Sequence, residues 1–153
     1  MPEPVCAVLF DFGGVVVDGP FDAFTAYESA AGAPPGFLRA VNSRNPDTNA
    51  WAALERGQID EDVFVERFEA EAQALGHAID GRGVLAMLTR VGADAMAARP
   101  VVLAAVDRCR AAGLRLGLLT NNVAPMASRP GTAWVHDHFD VVLESCLLGV
   151  RKP

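Results

Sequence analysis

The sequence predicts an α/β fold in which a parallel sheet, incomplete at about three strands, is interrupted by an all-helical insertion. Three observations predict it. Val5–Phe10 is a continuous apolar run rich in Val, with none of the alternation of a half-exposed strand. Between about residues 21 and 99 the apolar spacing is helical, with no strand-like run. From Pro100 a helix-then-strand rhythm resumes, with apolar runs at 114–119 and 140–144.

The first run reads as a central parallel strand covered on both faces. It ends at Asp11, then Gly13-Gly14, so a carboxylate stands at a strand's carboxyl end, where open α/β sheets place their ligands. Within the insertion, Phe21–Ala31 reads as a helix stopped by Gly32 and by Pro34-Pro35. Thr48–Arg56 reads as a helix stopped by Gly57. Asp60 reads as the N-cap of a longer helix, with Glu61 and Asp62 in its first turn and Gly76 beyond its end. Phe64, Phe68, Ala72 and Leu75 recur along that helix at the spacing of one apolar face. A further helix is expected over Val84–Val91. Pro100 suits the first turn of a helix running to Ala112, and Gly113 stops it. Leu114–Leu119 and Asp140–Glu144 complete the strands, with a loop and a short helix between them.

Composition narrows the function classes. The chain has 153 residues, 51% of them hydrophobic, with a mean hydropathy of +0.21. That suits one domain with a small insertion and argues against disorder. Net charge is −6 and no Lys/Arg cluster occurs, so no nucleic-acid partner is expected. The apolar run after Met1-Pro2-Glu3-Pro4 is too short for a signal segment or a membrane span. No membrane partner and a cytoplasmic location are expected. The three cysteines, Cys6, Cys109 and Cys146, are widely spaced and read as buried free thiols.

Three polar features fall at or near the ends of buried strands: Asp11, Thr120-Asn121 and Lys152. An exposed, ionised carboxylate at a strand tip is the nucleophile that phosphoryl transfer uses. Its approach to a phosphate dianion is repulsive, so a lysine and a Mg²⁺ ion are the usual companions. A threonine hydroxyl and nearby backbone N–H groups hold the oxygens that do not react. A Gly-Gly pair lets the backbone come close to the ligand. His136-x-His138 is too small a set for a metal site, and Asp18 reads as a turn residue. Trp51 and the insertion's phenylalanines read as core, with Phe24, Phe37 or Trp51 available to line its inner surface.

Phe10-Asp11-Phe12-Gly13-Gly14-Val15-Val16 resembles the first motif of the haloacid dehalogenase (HAD) superfamily. Leu118-Leu119-Thr120-Asn121-Asn122 resembles the second, and Gly149-Val150-Arg151-Lys152-Pro153 the third. Trp51–Ile59 resembles a sequence common in the helical caps of that superfamily. The nearest wording is that of the branch containing the phosphatase-like domain of soluble epoxide hydrolases. The resemblance implies a Rossmannoid core formed by residues 1–20 and 100–153, with residues 21–99 as a helical cap. It implies that Asp11 is the nucleophile and, with the backbone carbonyl of Gly13, a Mg²⁺ ligand. It implies a phosphate site of Gly13, Gly14, Thr120, Asn121 and Lys152. The implied activity is that of a Mg²⁺-dependent phosphatase acting on a small phosphorylated metabolite.

Two departures qualify these expectations. The superfamily's phosphatases usually carry a second Asp, a general acid, where Gly13 stands. The fourth motif, an acidic pair of Mg²⁺ ligands, is absent before Pro153. The chain is therefore expected to be C-terminally truncated, with weak metal binding and little turnover. A non-catalytic, degenerate domain and a 2-haloacid dehalogenase are the alternatives. Dehalogenases usually carry an aromatic residue where Gly13 sits.

Overall fold

The computed structural model describes residues 4–90, 97–129 and 131–152, the side chains of Thr89 and Arg90 excepted. Val91, Pro153 and the first three residues, which enter the expectations above, lie outside the described residues.

The sheet has three parallel strands, β1 (Ala7–Asp11), β2 (Arg115–Thr120) and β3 (Val141–Glu144), in the order β1-β2-β3. Asp11 registers with Leu119 and Thr120 with Glu144, so the carboxyl ends of all three strands share one edge. The expectation of a central first strand is corrected: β1 is at the edge and β2 is central. An apolar run without alternation implies two covered faces, but among the described residues only one face of this sheet is packed. Leu116 and Leu118 lie there, fully buried with Val16, Val106 and Val135 beside the buried Phe139, and Val8 and Phe10 rest against them. Leu9 and Val141, on the other face, are 61% and 47% exposed.

The elements described between β1 and residue 100 are all helices: α1 (Phe21–Ala31), α2 (Phe37–Ser43), α3 (Ala50–Glu55), α4 (Glu61–Ala74) and α5 (Gly81–Arg90). They enclose a separate core in which Phe64, Phe68, Leu38, Val41 and Val84 are fully buried. Trp51 packs edge-on against Phe24 and Phe64. Each such large side chain contributes about 1.5–3 kcal/mol by leaving water. Phe64, Phe68 and Ala72 form the expected buried face of α4, and Asp60 Oδ1 caps that helix by accepting from Val63 N at 2.9 Å.

α1 has the predicted bounds, and Gly32 takes the left-handed conformation that ends it. α3 starts at Ala50, two residues later than expected, because Asn49 is its N-cap and accepts from Ala52 N at 2.8 Å. α5 starts at Gly81, three residues early, where Asp80 Oδ1 accepts from Gly83 N. α2 was not anticipated. Pro34-Pro35-Gly36 reads as a breaker, but the buried Glu28 carboxylate accepts from Gly36 N and Leu38 N at 2.7 and 2.9 Å and holds the new helix start. α6 (Pro100–Ala111) packs on β2. A 3₁₀ turn (Met126–Ser128) and α7 (Val135–His138) fill the β2–β3 connection. α8 (Ser145–Leu148) follows β3 directly and is too short to show a period.

The cysteines are unpaired, but Cys6 is exposed and Cys109 and Cys146 are half-buried, which corrects the expectation of buried thiols. Cys6 directly precedes the edge strand β1 and is exposed there. Among the described residues, no helix is long and apolar enough to cross a membrane.

Candidate active site

The chain reverses sharply after β1. Phe12 O accepts from the backbone N–H groups of Val15, Val16 and Val17, and Gly14 N donates to Val17 O at 2.9 Å. Gly14 has φ +80°, which a side chain would strain. Gly14 therefore shapes the turn, and its own N–H is spent within it. Gly13 is exposed, and a Cβ placed on it would meet no atom within 4 Å. Position 13 thus opens onto free space beside Asp11.

Asp11 stands exposed at the end of β1. Its Oδ1 accepts from Phe12 N at 2.7 Å and from Lys152 Nζ at 2.5 Å. Lys152 reaches it from 141 residues away in sequence. The lysine ammonium also donates to Leu119 O at 3.2 Å, which ties it to the end of β2. Asn121 fixes the approach: its Oδ1 accepts from Lys152 N at 2.8 Å, and its Nδ2 donates to Lys152 O at 3.3 Å. Thr120 is buried at the end of β2, and its hydroxyl donates to Asn121 O at 3.3 Å. Asp11, Thr120, Asn121 and Lys152 thus gather at the carboxyl edge of the sheet, with Gly13 and Gly14 in the turn beside them.

Behind this edge lies a buried polar network that the sequence reading did not single out. Glu144 Oε2 accepts from Asn122 Nδ2 at 2.5 Å and from Met126 N at 2.6 Å. Asn122 N donates to Ser145 Oγ at 2.9 Å. These bonds hold the loop after β2 against the end of β3, and so hold Thr120-Asn121 in place. A charged residue closing a buried strand was the signal available for Glu144.

A cleft of about 150 Å³ opens from Gly13, Thr120 and Asn121 toward the helical insertion. Trp51 and Glu55 of α3 line its far wall, and Arg129 its side. Burial lowers the Arg129 guanidinium below its usual value, an effect that Cys146 and Glu144 partly offset. Its Nε has no hydrogen-bond partner. Glu55 is only 10% exposed and lies 3.0 Å from Arg151. Glu55 Oε2 and Arg151 Nε are nonetheless both without a hydrogen-bond partner, so the pair is electrostatic and poorly aligned. Glu55 Oε1 accepts from Trp51 Nε1 at 2.9 Å. Burial raises the Glu55 carboxyl above its ordinary 4.5, against the opposing pull of Arg151, Trp51, Lys152 and Arg56. Glu55 and Arg151 fall within the cap-like and third-motif stretches and Arg129 in neither, but no local pattern singles any of them out, because each acquires its setting from packing between distant segments.

Asp18 lies at the cleft mouth, 82% exposed and 3.7 Å from Arg99, in keeping with a turn residue. His138 Nδ1 bonds Trp134 O, and among the described residues no three His, Cys, Asp or Glu side chains gather as a metal site. Among the described residues, Asp11 Oδ2 and the Gly13 carbonyl oxygen are two oxygens near the strand ends that could hold a cation, Asp11 Oδ1 being engaged by Phe12 N and Lys152 Nζ. Two hard oxygens suit Mg²⁺, which keeps several waters and leans on substrate phosphates.

Residues 5–153 match the haloacid dehalogenase-like hydrolase family. Acyl-CoA dehydrogenase family member 10 of Mus musculus is 30% identical over 148 residues, which is 96% of this chain. The chain spans 14% of the length of that relative. A solved structure described as a dehalogenase superposes with a TM-score of 0.60 at 18% identity, covering 100% of this chain and 68% of its own. A HAD family enzyme of Bacteroides thetaiotaomicron, in complex with magnesium and inorganic phosphate, has a TM-score of 0.56 at 14% identity, covering 98% and 73%. At such identities the two structures speak to the fold.

Proposed function

The chain belongs to the haloacid dehalogenase-like hydrolases, and from that premise we propose that it is a Mg²⁺-dependent phosphomonoester phosphatase working through an aspartyl-phosphate on Asp11. The observation that carries this reading is the Lys152 ammonium, 2.5 Å from the Asp11 carboxylate and anchored to the end of β2. A carboxylate that must approach a phosphate dianion needs a cation on its flank. A carboxylate attacking phosphorus would also leave an exposed tip, which Asp11 has.

In this reading the Asp11 carboxylate attacks phosphorus and the bond to the leaving oxygen breaks. Water then attacks the aspartyl-phosphate, releasing inorganic phosphate and regenerating the carboxylate. Lys152 neutralises charge on both partners. Thr120 Oγ1 and backbone N–H groups at Gly13 and Asn121 bind the oxygens that do not react. Mg²⁺, when bound by Asp11 and the Gly13 carbonyl, supplies further neutralisation of the phosphoryl oxygens. The magnesium and phosphate held by the Bacteroides relative support this choice.

Residues 1–20 and 100–153 serve as the catalytic core and residues 21–99 as a cap that selects substrate. The cleft between them is small and mostly apolar-walled, which suits a small phosphorylated metabolite. The three unpaired cysteines support a cytoplasmic setting. The wording of the motifs supports the epoxide-hydrolase branch.

The test is release of phosphate from p-nitrophenyl phosphate, with and without Mg²⁺, by the chain and by Asp11→Asn. Slow, Mg²⁺-dependent release, lost in the variant, is the expected result for a chain without the fourth motif's metal ligands. Chloride release from 2-chloropropionate that survives chelation would instead make it a dehalogenase. A cooperatively folded protein silent on both substrates would make it a non-catalytic domain.

A further inference from the structure

Transfer of a phosphoryl group from an alkyl ester to Asp11 sets free an alkoxide. An alkoxide leaves slowly unless a proton reaches it as the bond breaks. The second step needs the reverse, a base for the attacking water. Gly13, beside Asp11, has no side chain, and open space stands where one would point. Among the described residues, the carboxyls lining the cleft above Gly13, Thr120 and Asn121 are Asp18 and Glu55. Asp18 is 82% exposed, at the cleft mouth, and faces Arg99.

Glu55 differs in every respect that matters to a proton donor. Its side chain is nine-tenths buried and comes from α3, opposite the strand ends. Trp51 Nε1 occupies one carboxyl oxygen at 2.9 Å. The other oxygen, Oε2, is buried 3.0 Å from Arg151 Nε with no aligned hydrogen bond to it. We propose that Glu55 is the general acid that protonates the leaving oxygen, and then the base that takes a proton from the water attacking the aspartyl-phosphate. This rests on the phosphatase reading above.

The protons balance. Neutral Glu55 gives its proton to the leaving oxygen and becomes a carboxylate. Arg151, 3.0 Å away, stabilises that carboxylate, as do Lys152 from the same loop and Arg56 on the α3 end. The carboxylate then takes a proton from water while the oxygen of that water bonds to phosphorus. The bond from phosphorus to Asp11 breaks, and both carboxyl groups return to their starting states. Burial favours the neutral form that begins the cycle. The nearby cations favour the charged form that follows.

The experiment compares first turnover with steady state for two substrates, p-nitrophenyl phosphate and ethyl phosphate. p-Nitrophenol leaves without help, whereas ethanol needs a proton. In Glu55→Gln, the first turnover of ethyl phosphate should fall on the order of 10²–10⁴-fold. The nitrophenol burst should stay near the original rate and give way to slow steady turnover as aspartyl-phosphate accumulates. Arg151→Met, which removes the nearest cation stabilising the Glu55 carboxylate, should slow the first turnover of ethyl phosphate more than that of p-nitrophenyl phosphate, by a smaller factor than Glu55→Gln. A Glu55→Gln loss of equal size on both substrates would overturn the proposal while leaving the phosphatase reading intact. Absence of phosphate release by the unsubstituted chain from either ester would overturn both.

Discussion

Lys152 is held from three sides: by Asp11, by the Leu119 carbonyl and, through its backbone, by Asn121. Such a cation is already oriented and needs no reorganisation when negative charge arrives. Lys152→Met is expected to lower kcat/KM for p-nitrophenyl phosphate on the order of 10²–10³-fold. Melting temperature should change little, since the Asp11 partner is open to solvent and such pairs contribute little to stability. A variant with near-normal turnover would remove the lysine from the reaction. Two other carboxyls predict opposite pH behaviour. Glu55 titrates above its ordinary 4.5 in the folded chain, chiefly through burial. Its contribution to stability is therefore complete below 4.5 and declines as pH rises through the folded value. Asp140 titrates below its ordinary 3.8, first because Leu116 N donates to it and then through Arg115. Its contribution is present above 3.8 and is lost as pH falls through the folded value. Melting curves across pH should show Glu55→Gln removing a decline on the rising side and Asp140→Asn removing one on the acid side. Profiles parallel to that of the parent chain would contradict the assignment.

At the scale of elements, two glycines predict different outcomes from one substitution. A Cβ on Gly57 would lie 2.4 Å from the backbone carbonyl oxygen of Cys146, and Gly57 also has φ +61°. That glycine lets the end of α3 rest on α8, and backbone cannot move aside cheaply. Gly57→Ala should destabilise by several kcal/mol and loosen the seat of Glu55. A Cβ on Gly117 would also fall within 2.4 Å of an atom, but that atom is the tip of the exposed Leu9 side chain. Rotation of Leu9 relieves the contact, so Gly117→Ala should cost less than about 1 kcal/mol. Chemical denaturation of both variants decides; comparable losses would refute the distinction. Asn49 shows the same dependence on context. It caps α3 through Ala52 N and donates to Asn42 O and Arg44 O, so one side chain links α2 to α3.

For the whole molecule, the point of interest is how the helical insertion meets the sheet. Arg151 makes that connection next to Lys152. It donates to Pro46 O at 2.8 Å and pairs with Glu55. Any movement of the insertion that opens the cleft must change these contacts. Arg151→Ala should therefore raise hydrogen exchange in α3 and around residue 46, while α4, built around the buried Phe64 and Phe68, stays protected. Uniform exchange changes across α3 and α4 would mean that the insertion loosens as a whole. The other face of the sheet is a contrasting case. Leu9 and Val141 lie exposed there, and no contact in the described residues covers them.

The sequence by itself determined the parallel α/β order and the helical character of the stretch that follows the first strand, and it singled out Asp11, Thr120, Asn121 and Lys152 as candidates. These were legible because each depends on local pattern: apolar runs, caps, glycine stops, and polar residues at strand ends. The tertiary structure decided what depends on distant neighbours. It made β2 the central strand, because strand order follows pairing and an apolar run does not record its partners. It raised α2 from a proline-rich stretch, because the Glu28 carboxylate supplies the missing acceptor. It placed Glu55 and Arg129 at the cleft and Arg151 against Glu55, since burial and charge at one position are set by residues scores of places away along the chain.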